Sequence, residues 1–140
     1  MTINTDYLMR CVDALEAACG QVPNHEMDSV MYDVYRAACV KQFELVLEQS
    51  GKLLRKRIRP YFASNQQVDR LHFKDCFRHA AKHGLLTDAA CERWLRYRDH
   101  RNSTVHDYGQ KFAEETLVLL PIFVADAKEL SATIAEYTDG

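Results

Sequence analysis

Apolar residues recur in steps of three and four along almost all of the 140-residue chain, and this spacing constrains the fold more than any other feature. The clearest stretch holds Phe112, Thr116, Leu119, Phe123, Ala127, Leu130, Ile134 and Tyr137. Such steps follow the 3.6-residue period of an α-helix, whereas no alternating strand pattern persists. Only three prolines and five glycines interrupt the chain. We therefore predict an all-α fold, an antiparallel bundle of four or five helices joined by short loops.

Start and stop signals divide the chain into five predicted helices. Thr5 and Asp6 are both good caps for the first helix, and the second begins near Asp28. Pro60 disfavours helical geometry at Arg59, so we predict that the second helix ends there. The other three are predicted over about 66–83, from Thr87 towards 101, and over 112–137.

The long second helix is predicted to bury one apolar stripe against the core. The members of this stripe are Val30, Val34, Ala37, Val40, Phe43, Leu47, Leu54 and Ile58. Gly51 is the position where this helix could bend or break, because glycine weakens a helix interior. In the same way, Pro121 is expected to kink the last helix.

Length and composition favour one cytoplasmic domain over residues 1–140. Apolar residues make up 47% of the chain, which is enough for one sizeable core. The start, "MTINTDYLMRC", is not a signal peptide, and no apolar run approaches the length of a membrane span. Five cysteines, an odd number with no close pair in sequence, indicate reduced thiols rather than a disulfide framework.

One helical stripe, His72, Cys76, His79 and His83, carries residue types that bind metals. A straight helix would spread these four side chains over about 16 Å, which is too far for one tetrahedral zinc ion. A pair spaced by four residues could still hold a metal with a ligand from another helix. We expect no metal here, because Cys76 borders the apolar face and belongs to the predicted core.

Two basic clusters stand out in a chain whose net charge is only −2, namely "KLLRKRIR" (52–59) and "RWLRYRDHR" (93–101). Such clusters in a mildly acidic protein point to a polyanion such as RNA. The alternative is that they are solvated helix ends, where cations are favoured by the helix dipole. The side chains expected to contact the RNA backbone are Lys52, Arg55, Lys56, Arg59 and Arg98.

The segment "RNSTVHDY" (101–108) holds the candidate catalytic residues. An imidazole can act as general base near neutral pH, and a guanidinium matches phosphate oxygens, so His106 and Arg101 could cleave RNA without metal. The 2′-hydroxyl would attack the adjacent phosphate and give a 2′,3′-cyclic phosphate and a 5′-hydroxyl. Asn102 and Ser103 could support this pair with hydrogen bonds. The alternative is that the arginine and histidine only cap carbonyl groups at a helix end.

The spacing of the candidate pair matters for its geometry. On an ideal helix Arg101 and His106 would stand about 140° apart, so they would not share a face. The cluster Asn102-Ser103-Thr104 and Gly109 suggest that the helix frays or ends here. A loosened backbone could bring the two side chains together, or a symmetric dimer could place two copies of the segment across a two-fold axis.

The pattern R-x4-H-x-Y, formed by Arg101, His106 and Tyr108 after a Trp-bearing helix, resembles the signature of the HEPN superfamily. More narrowly it resembles the HepT toxins, long described as nucleotidyltransferase substrate-binding proteins. The segments similar to that family are "KQFELVLEQSGKLLRK" (41–56), "GLLTDAACERWLRYRDHRNSTVHDY" (84–108) and "LPIFVADAKEL" (120–130). The resemblance thus covers most of the chain.

This resemblance implies a symmetric homodimer of helical bundles whose motifs face a shared cleft. Active members are metal-independent ribonucleases without a cofactor, and either tRNA or mRNA could be the substrate. The implied partner is a cognate minimal nucleotidyltransferase antitoxin (MntA-like), which transfers adenylate from ATP to the tyrosine at the position of Tyr108. Such adenylylation (AMPylation) would add negative charge and bulk two residues from His106 and would thereby block RNA.

Two other function classes remain open at the level of sequence. The chain could be a non-enzymatic helical subunit that binds a substrate and presents it, or itself, to a nucleotidyltransferase. It could also be a plain interaction bundle. A neighbouring reading frame with a nucleotidyltransferase motif would separate the first two readings from the third.

Overall fold

The computed structural model describes residues 2–103 and 109–136, and the regular secondary structure of this part of the chain is entirely helical. The α-helices are α1 (Asp6–Gln21), α2 (Val30–Ile58), α3 (Asn65–Asp69), α4 (Phe73–Lys82), α5 (Asp88–Asn102) and α6 (Gln110–Ala135). Short 3-10 turns at Val22–Asn24 and Arg59–Tyr61 follow α1 and α2. The all-α prediction is therefore confirmed. The predicted last position of the final helix, Tyr137, lies outside the described residues.

Side-chain caps set the helix starts close to the predicted positions. The Ser29 hydroxyl accepts a hydrogen bond of 3.1 Å from the backbone N–H of Tyr32, so α2 begins two residues later than Asp28. The Thr87 hydroxyl likewise accepts from the N–H of Ala90 at 3.1 Å and caps α5, as predicted. Both caps satisfy backbone donors that have no partner within the helix.

The single helix predicted over 66–83 is wrong, because the chain forms α3 and α4 with a break between them. The Ser64 hydroxyl accepts from the N–H of Gln67 at 3.3 Å and caps the short α3. A second cap follows, in which the Asp75 carboxylate accepts from the backbone N–H of His72 at 3.3 Å. Two starts so close together require a stop between them, and the apolar spacing alone does not reveal it.

The predicted apolar side of the first two turns of α2 faces solvent. Val30 is 76% exposed and Val34 is 50% exposed. The buried side of these turns instead carries Tyr32, whose hydroxyl donates to the Glu114 carboxylate on α6 at 2.8 Å. Further along, Phe43 is fully buried, and on an ideal helix Val34 stands about 180° from it. Seating Phe43 in the core therefore turns Val34 outward.

Helices that follow one another mostly run antiparallel, whereas α6 runs parallel to α2. Tyr32 and Glu114 meet at the start of both helices, and the rings of Phe43 and Phe123 meet further along at 4.7 Å. α2 also packs against α1 and α4, so this helix of 29 residues forms one side of most of the bundle. It continues without a break through Gly51.

A cluster of aromatic rings joins α4, α5 and α6 in the core. Trp94 is 1% exposed and lies in the core. Its ring stacks on Phe77 at 5.0 Å and meets Tyr97 and Phe123 edge-on at 5.5 and 5.6 Å. These separations fall within the range in which aromatic pairs attract beyond simple burial.

A buried carboxylate links α5 to α6. Asp126 is 5% exposed and accepts two hydrogen bonds of 2.9 Å from Arg93 and one of 2.6 Å from the Tyr97 hydroxyl. Burial and then the nearby carboxylate raise the pKa of Tyr97, which keeps its proton and donates it. The Arg93 fork is bidentate, the geometry in which such pairs are strongest.

Gly51 allows a ring of α4 to approach the backbone of α2. A Cβ at this position would lie 2.6 Å from two ring atoms of Phe73, closer than carbon atoms approach. The Phe73 ring in turn lies 4.7 Å from that of Phe77. The glycine that was expected to weaken the helix is thus the site of a close helix–helix contact.

The candidate metal stripe is divided among other contacts. Cys76 is buried in the core, His79 meets the Phe62 ring edge-on at 4.9 Å, and His83 stacks on Tyr61 at 3.9 Å. Within residues 2–103 and 109–136, no group of three or more potential ligands is placed to hold a metal ion. All five cysteines are free thiols.

No helix in the described part of the chain is long and apolar enough to cross a membrane.

Replacing the buried carboxylate should cost far more stability than replacing an exposed one. We expect Asp126→Ala to lower the free energy of unfolding by about 3 kcal/mol, because it leaves Tyr97 and Arg93 without their common acceptor. The control Glu16→Ala removes a half-exposed pair with Lys128 (2.7 Å) and should cost less than about 1 kcal/mol. Urea denaturation at neutral pH measures both, and similar costs would contradict this account.

Two glycine substitutions should change stability in opposite directions. Gly51→Ala forces Phe73 to move and should destabilise by about 1–3 kcal/mol despite alanine's better helix propensity. Gly20→Ala in α1 meets nothing within 4 Å and should stabilise by up to about 1 kcal/mol. Thermal and urea denaturation of the two variants test this, and a stabilising Gly51→Ala would refute the close contact.

Candidate functional site

The candidate motif begins at the end of α5. Arg101 lies in its last turn, the helix ends at Asn102, and Ser103 follows as its cap. The Ser103 hydroxyl donates to the carbonyl of His100 at 2.7 Å, while Asn102 is exposed. The predicted end of the helix at this segment is confirmed. The two other motif residues, His106 and Tyr108, lie outside the described residues.

Arg101 reaches across to α2. Its Nε lies 3.8 Å from a carboxylate oxygen of Glu44, and the two side chains are 38% and 27% exposed. A partly exposed ion pair at this distance contributes little to stability. This pair places the arginine beside α2.

Two clefts follow one another along α2: Glu44 itself lines the first, and Glu48, one turn further on, lines the second. The first, which we call the mixed cleft, has a volume of about 440 Å³ between α2 and the start of α6. Its charged lining residues are two acids and two bases: Asp33, Arg36, Lys41 and Glu44. Gly109 and Gln110 also line it.

The second cleft, which we call the basic cleft, has a volume of about 380 Å³ between α2, α4 and α5. Its lining residues are Glu48, Gly51, Lys52, Arg55, Leu71, His72, Phe73 and Arg98. Three side chains with a permanent positive charge thus face one carboxylate. This composition differs from that of the mixed cleft and favours an anion.

The structure separates the five residues predicted to contact RNA. Lys52, Arg55 and Arg98 line the basic cleft, although the last is distant in sequence. Arg59 forms an ion pair with Asp69 at 3.0 Å, outside this lining. Lys56 is exposed on α2 and does not line the cleft either.

Contacts hold the two cleft arginines in place. The Arg55 guanidinium donates to the backbone carbonyl of Val68 at 2.8 Å. The Arg98 guanidinium carbon lies 5.0 Å from the centre of the Phe73 ring, within cation–π range. Since Gly51 lets that ring approach α2, it also sets the position of Arg98.

His100, the residue before Arg101, is part of the α5–α6 contact rather than a surface group. Its Nε2 lies 2.8 Å from the Thr116 hydroxyl oxygen, and its ring stacks on Phe112 at 4.4 Å. The Thr116 hydroxyl donates to the carbonyl of Phe112, so His100 Nε2–H must donate to Thr116. Burial lowers the pKa of His100, which favours the neutral ring.

A third cleft of about 400 Å³ lies on another face, between α1 and α6. Its lining is mainly apolar and includes Cys19, Pro23, Leu117, Pro121 and Val124. It has no lining residue in common with the other two clefts, and its character does not suit a polyanion.

Sequence reasoning missed Glu44, Gly51 and Phe73 as parts of the site. The sequence nevertheless contained a signal for this surface. Charged residues follow one another in steps of four and three along α2, namely Glu44, Glu48, Lys52 and Arg55. Such a charged stripe on a helix that is buried along another side marks a solvent-facing surface. The role of Phe73 depends on a contact between distant segments and has no comparable local signal.

The pH dependence of stability should reveal the half-buried His100 ring. Because its folded-state pKa lies below the ordinary 6.5, the neutral ring stabilises the fold above that pH. This stabilisation is lost as pH falls through the lowered pKa. His100→Gln keeps a donor for Thr116 but does not titrate. Urea denaturation at about pH 7.5 and about pH 5 should therefore show a smaller loss in the variant, and equal losses would contradict the assignment.

The fold resembles two solved structures. One, from Haemophilus influenzae, is described as the fold of a substrate binding domain of a nucleotidyltransferase; the TM-score is 0.80 at 26% identity, covering 94% of this chain and 98% of that one. The other, from Thermus thermophilus, matches with a TM-score of 0.72 at 23% identity over 91% of this chain and 98% of its own, and supports the fold alone.

Sequence comparison agrees with this structural similarity. A Haemophilus influenzae protein named probable ribonuclease HepT is 29% identical over 102 residues, which span 73% of this chain and 68% of that protein. The model of the family described as nucleotidyltransferase substrate binding protein like matches residues 4–136. The chain therefore belongs to this nucleotidyltransferase substrate binding protein-like family, and it is HepT-like.

Proposed function

We propose that this chain is the cytoplasmic toxin of a toxin–antitoxin pair and acts as an endoribonuclease that needs no metal or cofactor. The observation that carries the proposal is the place of Arg101, which lies beside Glu44 on α2, one turn after the cleft residue Arg98 on α5 and five residues before His106. The arginine can contact a phosphate while the neighbouring cations hold the rest of an RNA strand. The relative named probable ribonuclease HepT supports the same activity.

The reaction needs only the two side chains of the motif. His106 takes the proton of a ribose 2′-hydroxyl as its oxygen forms a bond to the adjacent phosphorus. The bond from phosphorus to the 5′-oxygen breaks, and that oxygen takes up a proton from the protonated histidine or from water. Arg101 stabilises the negative charge that develops on the phosphate oxygens. The products are a 2′,3′-cyclic phosphate and a 5′-hydroxyl.

We further propose that the active form is a symmetric homodimer. Two copies facing each other across a two-fold axis would bring Arg101 and His106 from both chains to one cleft. The exposed Val30 and Val34 support this proposal, since they lie on α2 beside the residues of the mixed cleft. A second copy covering these valines would remove exposed apolar surface from water.

In this proposal the partner is a nucleotidyltransferase, in line with the family description. The resemblance to HepT toxins implies that this partner adenylylates Tyr108. An adenylyl group adds a negative charge beside His106, where the RNA phosphate must bind. Repulsion and bulk would then switch the nuclease off. Mass spectrometry after incubation with the partner and ATP should show added adenylate, absent in Tyr108→Phe but present in the control Tyr7→Phe.

Cleavage of RNA by the purified chain tests the activity directly. Unmodified protein, verified by intact mass, should cleave tRNA or total RNA with chelator present and leave 2′,3′-cyclic phosphate ends. Arg101→Ala and His106→Ala should each reduce the rate by about 100-fold or more. The matched controls Arg96→Ala and His25→Ala should keep the wild-type rate. Absence of cleavage by the unmodified wild type would refute the nuclease.

A second candidate is a non-enzymatic subunit that binds and presents a substrate to the nucleotidyltransferase. The family description and the Haemophilus influenzae structure favour it, because both refer to substrate binding. This candidate predicts a stable complex with the nucleotidyltransferase encoded beside it and no RNA cleavage by the isolated chain. Size-exclusion chromatography of the two proteins, combined with the cleavage assay, separates the candidates.

A further inference from the structure

We infer that the basic cleft is a phosphate-binding subsite for single-stranded RNA, which holds the strand on one side of Arg101. The inference deepens the proposed function and rests on it for the direction of the strand. It assigns a site to Lys52, Arg55 and Arg98 together, whereas charge alone does not distinguish them from Lys56.

The charges and their fixed positions carry the first step. Arg55 is anchored by the carbonyl of Val68, and Arg98 is held over the Phe73 ring, so both guanidinium groups are arranged before a ligand binds. Preorganised groups lose less conformational entropy on binding. Lys52 is exposed at the rim and adds a third cation.

The opposing charges in the cleft do not cancel these cations. Among the residues that the structure describes, Glu48 is the one carboxylate that lines it, and His72 is the one imidazole. Apart from this imidazole, the cleft holds three positive charges and one negative charge. The described residues of the mixed cleft carry two of each. A polyanion is therefore attracted to the basic cleft in preference to the mixed one.

Continuity with the motif indicates a strand rather than a small anion. Arg98 and Arg101 are one turn apart on α5, an axial rise of about 4.5 Å. On the facing side, Lys52 lies about 12 Å along α2 from Glu44, the partner of Arg101. The cations thus form a row that leads away from the motif arginine. A row of separated charges matches successive phosphates of one strand.

A binding assay that does not depend on cleavage tests the inference. The probe is a fluorescent single-stranded RNA with 2′-O-methyl groups, which lacks the attacking hydroxyl, and fluorescence anisotropy with the full chain gives Kd at several salt concentrations. The double variant Lys52→Ala/Arg98→Ala should bind about tenfold more weakly at low salt. Its slope of log affinity against log salt should be shallower by about 1.4, since each lost phosphate contact removes about 0.7.

A matched double variant controls for total charge. Lys82→Ala/Arg96→Ala removes the same charge from exposed positions of α4 and α5 that do not line the cleft, and it should change Kd by less than about twofold. The single reversal Lys52→Glu, at an exposed position where folding is retained, should weaken binding more than Lys82→Glu. Equal effects of the cleft and control variants would overturn the inference, as would failure of the wild type to bind the probe.

The outcomes also separate this inference from the proposed function. If the wild type cleaves RNA but the cleft variants bind and cleave like it, the subsite is refuted and the nuclease stands. If the wild type binds the probe through the cleft but cleaves no RNA, the subsite is supported and the nuclease is refuted.

Discussion

The position of the basic cleft depends on the buried carboxylate of Asp126. It accepts three hydrogen bonds from Arg93 and Tyr97 and so fixes both the rotation and the height of α5 against α6. Burying a carboxylate is costly, and these bonds offset that cost only in one geometry. With α5 fixed in this way, Arg98 lies over the Phe73 ring of α4 and Arg101 lies beside Glu44 of α2.

α2 forms the side of the basic cleft that faces α4 and α5. One side of this helix carries Phe43 in the core, and another carries the charged stripe from Glu44 to Arg55. Gly51 interrupts the stripe with a position that has no side chain, which the Phe73 ring occupies. The same contact that packs α4 onto α2 thereby holds Arg98 at the edge of the cleft. Packing and charge placement are thus two results of one arrangement.

Local sequence signals were sufficient to predict much of the fold but not the basic cleft. The Thr87 cap, the stop before Pro60 and the apolar stripe of α6 are each determined within a few residues. The structure confirms the cap and the stop, and it confirms the stripe over the described part of the helix. The predicted orientation of the first turns of α2 was wrong, because Val30 and Val34 are apolar yet exposed. The buried side carries Tyr32, which contacts Glu114 on α6. An apolar pattern cannot report which face a distant partner will cover. Asp126 was missed for the same reason, since its partners lie about 30 residues earlier on another helix.

We propose above all that RNA lies in the basic cleft between α2, α4 and α5, close to Arg101. Photo-crosslinking of a single-stranded RNA containing 4-thiouridine, followed by mass spectrometry of the peptides, tests it most directly. We predict crosslinks to residues that line the basic cleft, such as His72 and Phe73, and the loss of these crosslinks in Lys52→Ala/Arg98→Ala. Crosslinks confined to the apolar cleft of α1 and α6, around Cys19 and Pro121, would contradict it.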